Sequence, residues 1–245
     1  SMYGIKTDFI RNMLMEMMLP TSQLAKEYIS APLKYGNRVY GNAVNNERGD
    51  LMRFVAVEDN TIVREHKYNV ETQHMEYIDI SGIINAGEFC DIPCRETPGY
   101  YVSNKKVLVA QIGKAWIDHL PPPKVGSEDN EKPGEGEIQN PSMNGQGMML
   151  LLSPIEKWCS FGSFKLISGM TGNYAYFTFK NADKDNLYFD DQAFSTRFGN
   201  AIIEIPGTPY AYVVQAVAPG DHTVYGTGGA SFAGYCYGNY DACKD

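Results

Sequence analysis

The chain has 245 residues, a formal net charge of −8 and a hydrophobic content of 43%. This length and apolar content allow one large β domain or two ordinary domains with real cores. The negative charge disfavours nucleic acid as a partner, because nucleic-acid binders need a basic face, but it leaves proteins, neutral sugars and cations open. The sequence contains no run of about 18 apolar residues that could span a membrane.

Two helical segments are predicted near the N-terminus. Apolar residues recur at i, i+3 and i+4 over residues 8–19, which predicts an amphipathic helix that Pro20 ends. A second, short helix is predicted over residues 22–29, with Thr21 as its N-cap. We interpret the Met-rich stripe of the first helix as a surface packed on its own domain rather than as a binding face.

From Asn37 onward the pattern changes to β. The predicted strands cover residues 38–40, 51–57, 61–68, 75–80, 100–102 and 106–112. Asp59 and Asn60 predict a hairpin turn between the second and third of these strands. The last strand is nearly all apolar, which places it in the middle of a sheet, and residues 82–99 are predicted to be irregular.

A polar stretch interrupts the chain at residues 119–147. It contains five prolines and five glycines and almost no apolar side chains. Because such a segment cannot pack a core, we interpret it as a linker between a domain at residues 1–118 and a domain at residues 148–245. The alternative is a long surface loop within one domain, which is less usual at this length.

The second half is predicted to be β throughout. Its predicted strands cover residues 148–152, 164–167, 174–180, 187–189, 201–205, 211–217 and 222–225. Turns are predicted at 206–207 and 219–220, since both are Pro-Gly pairs. The sequence therefore predicts a mainly β fold with two β-sandwich-like domains and a short N-terminal helical segment.

The segment Val217-Ala-Pro219-Gly220-Asp-His-Thr-Val224 carries a resemblance. It is similar to a turn in prealbumin-like and PEGA-like β-sandwich modules of bacterial envelope proteins, in which one strand ends in Pro-Gly and the next alternates polar and apolar residues. The resemblance covers about eight residues and brings no catalytic residue with it. It implies a sandwich and a cell-envelope location.

Four of the five cysteines suggest two disulfides. Cys236 and Cys243 would close a Gly- and Tyr-rich loop, and Cys90 and Cys94 would close a small ring. The alternative is a metal site built from the same four residues, but six residues between Cys236 and Cys243 is wide for a zinc knuckle. We interpret Cys159 as a small buried hydrophobe.

One polar turn resembles a calcium loop in its spacing. Asn181, Asp183 and Asp185 place oxygen ligands at positions 1, 3 and 5. The spacing departs from a calcium loop at position 6, where Asn186 replaces glycine, and at position 12, where Gln192 cannot supply a bidentate carboxylate. A solvated turn is the favoured interpretation, and no other cofactor is predicted.

Tyrosines at period two give the main functional hypothesis. The four residues are Tyr174, Tyr176, Tyr210 and Tyr212. Phe177 and Phe179 occupy the opposite face of the first strand and are predicted to point into the core, which leaves the tyrosine face for a ligand. The alternative is that a loop covers the tyrosines.

Two classes of function follow from these patterns. The first is a non-catalytic, secreted or cell-envelope (periplasmic) binding protein that recognises a protein or a glycan through the tyrosine face or the domain junction. The second is a hydrolase that acts on cell-envelope polymers, with acidic and His side chains assembled by the fold. A deep cleft with facing acids indicates the enzyme, and a flat aromatic face indicates the binding protein.

Overall fold

A computed structural model describes residues 17–34, 49–113, 148–170 and 172–239 of the chain. The side chains at positions 93, 94 and 239 are not part of the description. The predicted strand at 38–40, the predicted linker at 119–147 and most of the predicted helix at 8–19 lie outside the described residues.

The described residues are mainly β, which confirms the predicted fold class. The strands are β1 Ala25–Ser30, β2 Asp50–Ala56, β3 Val63–Asn69, β4 His74–Asp79, β5 Phe89–Arg95, β6 Gly99–Gly113, β7 Met148–Leu151, β8 Phe161–Leu166, β9 Gly172–Lys180, β10 Leu187–Phe189, β11 Gln192–Ala193, β12 Ile203–Glu204, β13 Tyr210–Ala216, β14 Gly220–Gly226 and β15 Phe232–Asn239. One short helix, α1, covers Phe194–Arg197, and 3-10 turns cover Thr21–Gln23, Ile155–Lys157, Asn181–Asp183 and Gly199–Ala201.

These strands form three antiparallel sheets. The large sheet has the order β4-β3-β6-β2-β5, with β1 and β7 also paired to β6. The outer sheet has the order β11-β10-β14-β8, and the middle sheet has the order β12-β13-β9-β15. The middle sheet lies between the other two, since its residues contribute to the cores on both of its faces.

The long strand β6 organises the large sheet. Its first part, from Tyr100 to Ser103, pairs with β3, and residues 99–102 pair with β1. Its second part, from Val107 to Ile112, pairs with β2, and residues 110–113 pair with β7. Strand 106–112 was predicted to lie inside a sheet, and its partners on both sides confirm this.

The outer and middle sheets form a sandwich around the first core. Phe177 and Phe179 of β9 are at most 1% exposed in this core, as their predicted orientation requires. The other large members come from both sheets and from α1 and the turn after it: Leu166, Leu187, Phe189, Phe194, Phe198, Val213, Val224 and Phe232.

The second core lies between the middle sheet and the large sheet. It combines Ile29, Ala31 and Leu33 from the first half of the chain with tyrosines of β9, β13 and β15. A third core is formed by side chains of the large sheet together with Leu152, which follows β7. It includes Phe54 and Tyr101.

The strands and cores of the two halves of the chain are not divided as the predicted domains require. Strand β7 was assigned to the C-terminal domain, but it pairs with β6 of the N-terminal half. The two halves also share the second core, so they are not built around two separate cores. A division at residues 119–147 stays a prediction, because those residues lie outside the described ranges.

The predicted helix at residues 22–29 is wrong. Only a 3-10 turn is present at Thr21–Gln23, and Ala25–Ser30 is β1. Leu24, Tyr28 and Ile29 have helical spacing, yet pairing with β6 buries them better, since Tyr28 is 1% and Ile29 2% exposed. Tertiary burial thus outweighs local pattern here.

Two further predictions need correction. Residues 82–99 were predicted to be irregular, but they contain β5, an end strand of the large sheet. The strand was not predicted because Pro93 argues against a strand in the sequence pattern. A sheet tolerates a proline in an end strand such as β5. The turn at Asn60 exists, with φ of 56°, but β2 and β3 each pair with β6 and do not form a hairpin.

Candidate protein-binding surface

The predicted tyrosine patch is buried, so the prediction of an exposed face is wrong. Tyr174, Tyr176, Tyr210 and Tyr212 are 8%, 0%, 8% and 6% exposed. The period-two pattern placed them correctly on one face of the middle sheet, but the first half of the chain covers that face. A period of two identifies a shared face and does not show whether another sheet packs against it.

The buried tyrosines bond to main-chain groups of distant segments. The N–H of Ala31 donates to the hydroxyl of Tyr176 at 2.6 Å, and the N–H of Lys34 donates to the hydroxyl of Tyr237 at 2.8 Å. Burial raises the pKa of Tyr176 well above its ordinary value. Because these hydroxyls satisfy main-chain groups that follow β1, the tyrosines fasten the two halves together.

A polar network continues from Tyr176 into the large sheet. The Tyr176 hydroxyl lies 3.4 Å from Oε1 of Gln111, whose Nε2 donates to the Ala31 carbonyl and to Oδ2 of Asp50, both at 2.7 Å. The N–H of Leu33 also donates to Oδ2 of Asp50, at 2.9 Å. All of these residues are nearly fully buried, so the network is structural and is not accessible to a ligand.

The predicted calcium ligands lie at the end of β9. Asn181 and Asp183 begin and end a 3-10 turn, and the amide Nδ2 of Asn181 donates to Oε1 of Glu204 at 2.6 Å. Asp185 follows in the turn before β10 and is exposed. Within the described ranges, no three or more His, Cys, Asp and Glu side chains are grouped to hold a metal ion. The calcium site stays a prediction.

The cysteines give a mixed result for the predicted disulfides. Cys90 and Cys236 carry free thiols in the structure. Cys90 and Cys94 both lie in β5, and the Cys90 thiol is free, which does not support their predicted bridge. Cys243 lies outside the described residues, so its pairing with Cys236 stays a prediction. Cys159 is exposed, not buried as expected.

An open aromatic surface lies instead on the large sheet. We name it the His66 row: Tyr77 of β4, His66 of β3 and Tyr100 of β6. Tyr77 and Tyr100 both stand directly opposite His66 in the strand register. Their ring centroids lie 4.3 and 4.8 Å from the His66 ring, both in edge-to-face orientation. Tyr77 is 65% exposed, so the row opens to solvent at this end.

The other end of the row, at Tyr100, packs against the middle sheet. The Tyr100 ring lies 5.6 Å from that of Tyr210, and the Tyr210 ring lies 5.6 Å from Trp158. The turn before β13 also contacts the hairpin formed by β3 and β4, since a Cβ added at Gly207 lies only 2.5 Å from atoms of Tyr68 and Met75. The His66 row is therefore held at the junction of the two halves.

A cavity of about 350 Å³ lies beside the row. Its lining includes Ile62, Arg64, His66, Tyr77, Val102 and Asn104. It thus combines apolar walls with a guanidinium, an imidazole and a phenol, and Arg and Tyr are among the residues that most often dominate the binding energy of protein interfaces.

The charge of the row is set by its neighbours. Partial burial lowers the pKa of His66, Glu27 opposes this shift and Arg64 adds to it. The Tyr100 hydroxyl donates to Oε2 of Glu27 at 2.8 Å. His66 is therefore neutral at physiological pH, and the row offers a partner a rigid and mostly uncharged contact surface.

Both strands of the β3–β4 hairpin were predicted, but the His66 row was not. Residues 61–68 and 75–80 were both predicted as strands. The observed register pairs His66 with Tyr77 and Asn69 with His74. A register fixed from the turn at residues 70–73 would have placed the two rings together.

A comparison with protein-family models identifies the chain. Residues 4–238 match the family described as IgGFc binding protein. The chain belongs to this family. It is a family of binding proteins whose described partner is a protein, which confirms the binding class of function in its general form. No curated protein and no solved structure matches the chain. The described residues also include no helix long and apolar enough to cross a membrane.

Proposed function

We propose that the chain binds the Fc portion of immunoglobulin G through the His66 row and the cavity beside it. The family match supports the partner. The observation that carries the choice of surface is Tyr77, which is 65% exposed and stands against His66 at the mouth of a 350 Å³ cavity. Exposed tyrosines held in one orientation lose little side-chain entropy when a partner covers them.

Strand β4 extends the same surface to the end of the large sheet. Tyr77 is 65% exposed, and β4 has no neighbour on its outer side among the described residues. A partner can therefore contact the row, the cavity and the strand edge together. This arrangement provides a central aromatic anchor surrounded by polar groups, as protein interfaces require.

The proposal places the protein outside the cell or on the outer face of the cell envelope, where it can contact immunoglobulin G in solution. Its support is the described partner of the family. Export of the protein is part of the same proposal.

Biolayer interferometry with immobilised Fc tests the partner, and the Fab of the same antibody is the matched control. We expect binding to Fc and none to Fab. The Tyr77→Ala variant tests the surface and is expected to bind Fc about 30-fold more weakly, which is about 2 kcal/mol. Phe89→Ala removes another exposed aromatic residue, 53% exposed on β5, and is expected to bind as the wild type does.

The two parts of the proposal fail separately. A wild-type chain that binds neither fragment, or both equally, excludes Fc as the specific partner. If Tyr77→Ala binds Fc with the same affinity as the wild type, Fc binds elsewhere on the chain.

A further inference from the structure

A second row of aromatic side chains crosses the outer sheet. We name it the outer aromatic row: Phe161 of β8, Tyr225 of β14 and Tyr188 of β10. Tyr225 stands directly opposite Phe161 on one side and Tyr188 on the other. The residues next to them along the strands, including Val224, Leu187 and Phe189, point into the first core, so the row faces away from it.

The row is partly exposed and held in place. Phe161 is 62% exposed, and Tyr188 and Tyr225 are half-buried. The rings of Tyr188 and Tyr225 stack with centroids 5.0 Å apart and an angle of 11° between their planes. Because the two tyrosines are fixed by each other, a ligand that contacts them does not have to order them first.

Polar groups surround the row. The Tyr225 hydroxyl donates to Oδ1 of Asp191 at 3.1 Å. The next cross-strand pair on the same face is Thr223 with Ser163, and the pair after that is Asp221 with Lys165. The ligand surface therefore offers carboxylate and hydroxyl oxygens beside the aromatic rings, and these oxygens can accept hydrogen bonds from hydroxyl groups.

We propose that the outer aromatic row is a binding site for a neutral saccharide. The apolar C–H face of a sugar ring packs on Phe161 and Tyr225, while its hydroxyls donate to Asp191 and exchange hydrogen bonds with Thr223 and Ser163. This site goes beyond the proposed Fc binding, and it lies on the outer sheet whereas the His66 row lies on the large sheet.

The size and charge of the row favour a saccharide over a protein. Three adjacent strands span about 10 Å, the width of one or two sugar rings, whereas a stable protein interface buries about 800 Å² on each partner. Asp191 carries no ion-pair partner among the described residues, and the chain as a whole has a charge of −8. Both features disfavour acidic ligands.

Isothermal titration calorimetry on the full chain tests the site. The neutral probes are hexasaccharides of glucose, mannose, galactose and N-acetylglucosamine, and the acidic probe is hexagalacturonate. We expect at least one neutral probe to bind and hexagalacturonate to bind at least tenfold more weakly. Phe161→Ala should weaken the neutral probe at least tenfold, while Phe89→Ala and Tyr77→Ala should not change it.

Circular dichroism separates loss of binding from loss of folding. Phe161→Ala is expected to unfold at the same temperature as the wild type, since the side chain is mostly exposed. If it does not, Asp191→Gly provides the second variant, because it removes the carboxylate that accepts the sugar hydroxyls and glycine tolerates the φ of 63° at this position. The proposal is overturned if no neutral probe binds at millimolar concentration, if the folded variants bind as the wild type does, or if the acidic probe binds best.

Discussion

The main-chain N–H of Ala31 donates a 2.6 Å hydrogen bond to the hydroxyl of Tyr176, 145 residues further along the chain. Tyr176 is fully buried in β9 of the middle sheet, and Ala31 follows β1 of the large sheet. The bond shows what the tyrosines of the middle sheet do. They satisfy main-chain groups of another sheet, and no partner molecule can reach them.

Tyr176→Phe tests the value of this bond. The substitution keeps the ring and removes the hydroxyl, so the buried N–H of Ala31 loses its partner. We expect the free energy of unfolding to fall by about 1–3 kcal/mol, the cost of a buried unsatisfied group. Urea unfolding followed by fluorescence measures it.

Tyr212→Phe is the matched control, since Tyr212 is buried in the same core without a hydrogen bond to its hydroxyl from any described residue. It should change the stability by less than about 0.5 kcal/mol. Equal effects of the two substitutions would contradict the role assigned to the Ala31 bond.

Gly207→Ala tests the contact between the turn and the β3–β4 hairpin. Gly207 has φ of +71°, and an added Cβ lies 2.5 Å from Sδ of Met75 and from Cδ2 of Tyr68. We expect a loss of about 2 kcal/mol or more, because strain and a clash add.

Gly169→Ala separates these two causes. Gly169 has φ of +91° but no atom within 4 Å of its added Cβ, so it pays only for backbone strain, about 1 kcal/mol. Thermal unfolding of both variants decides the matter, and a Gly207→Ala variant no less stable than Gly169→Ala rules out the tight contact.

His66 should make stability depend on pH. Burial lowers its pKa in the folded protein below the value of about 6.5 in the unfolded chain. The unfolded chain therefore binds this proton more readily, and the stabilisation from neutral His66 is complete above about pH 6.5 and is lost as the pH falls through the folded pKa.

The free energy of unfolding measured from pH 7.5 to 5 should fall less steeply in His66→Gln than in the wild type. A slope that His66→Gln leaves unchanged assigns the pH dependence to other groups.

The thiols should differ in reactivity under reducing conditions. Burial raises the pKa of Cys236 to about 12 and that of Cys90 to about 11, so both thiols stay protonated at pH 8. Cys159 is exposed. Iodoacetamide followed by peptide mass spectrometry should therefore find Cys159 modified before Cys90, and Cys236 modified only after unfolding. Early modification of Cys236 contradicts its burial.

Much of the strand pattern could be predicted, because a strand buried on one or both faces shows its period in its own residues. Strand β10 was predicted with its exact bounds, and Phe177 and Phe179 were placed correctly in the core. The arrangement of sheets could not be predicted in this way. Pro219 lies in a bend and Gly220 already begins β14, so the predicted Pro-Gly turn is replaced by a connection between β13 and β14, which lie in different sheets.

The site was missed for the same reason. Tyr176 and Tyr77 both belong to predicted strands, and nothing in their own neighbourhoods separates the buried residue from the exposed one. Tyr176 is covered by residues 29–33, which come from the far end of the chain. Tyr77 lies on an end strand whose outer side is open in the described part of the molecule. Only long-range packing distinguishes them.

The second core also determines when the protein can finish folding during its synthesis. Ile29 and Leu33 leave the ribosome well before the strands that cover them, which are β9, β13 and β15. A nascent chain therefore keeps this apolar surface uncovered until β15 has been translated. Contacts of such long sequence separation make folding slow. Until these contacts form, the apolar segment around Ile29 and Leu33 is exposed in the nascent chain, and we expect chaperones to bind it.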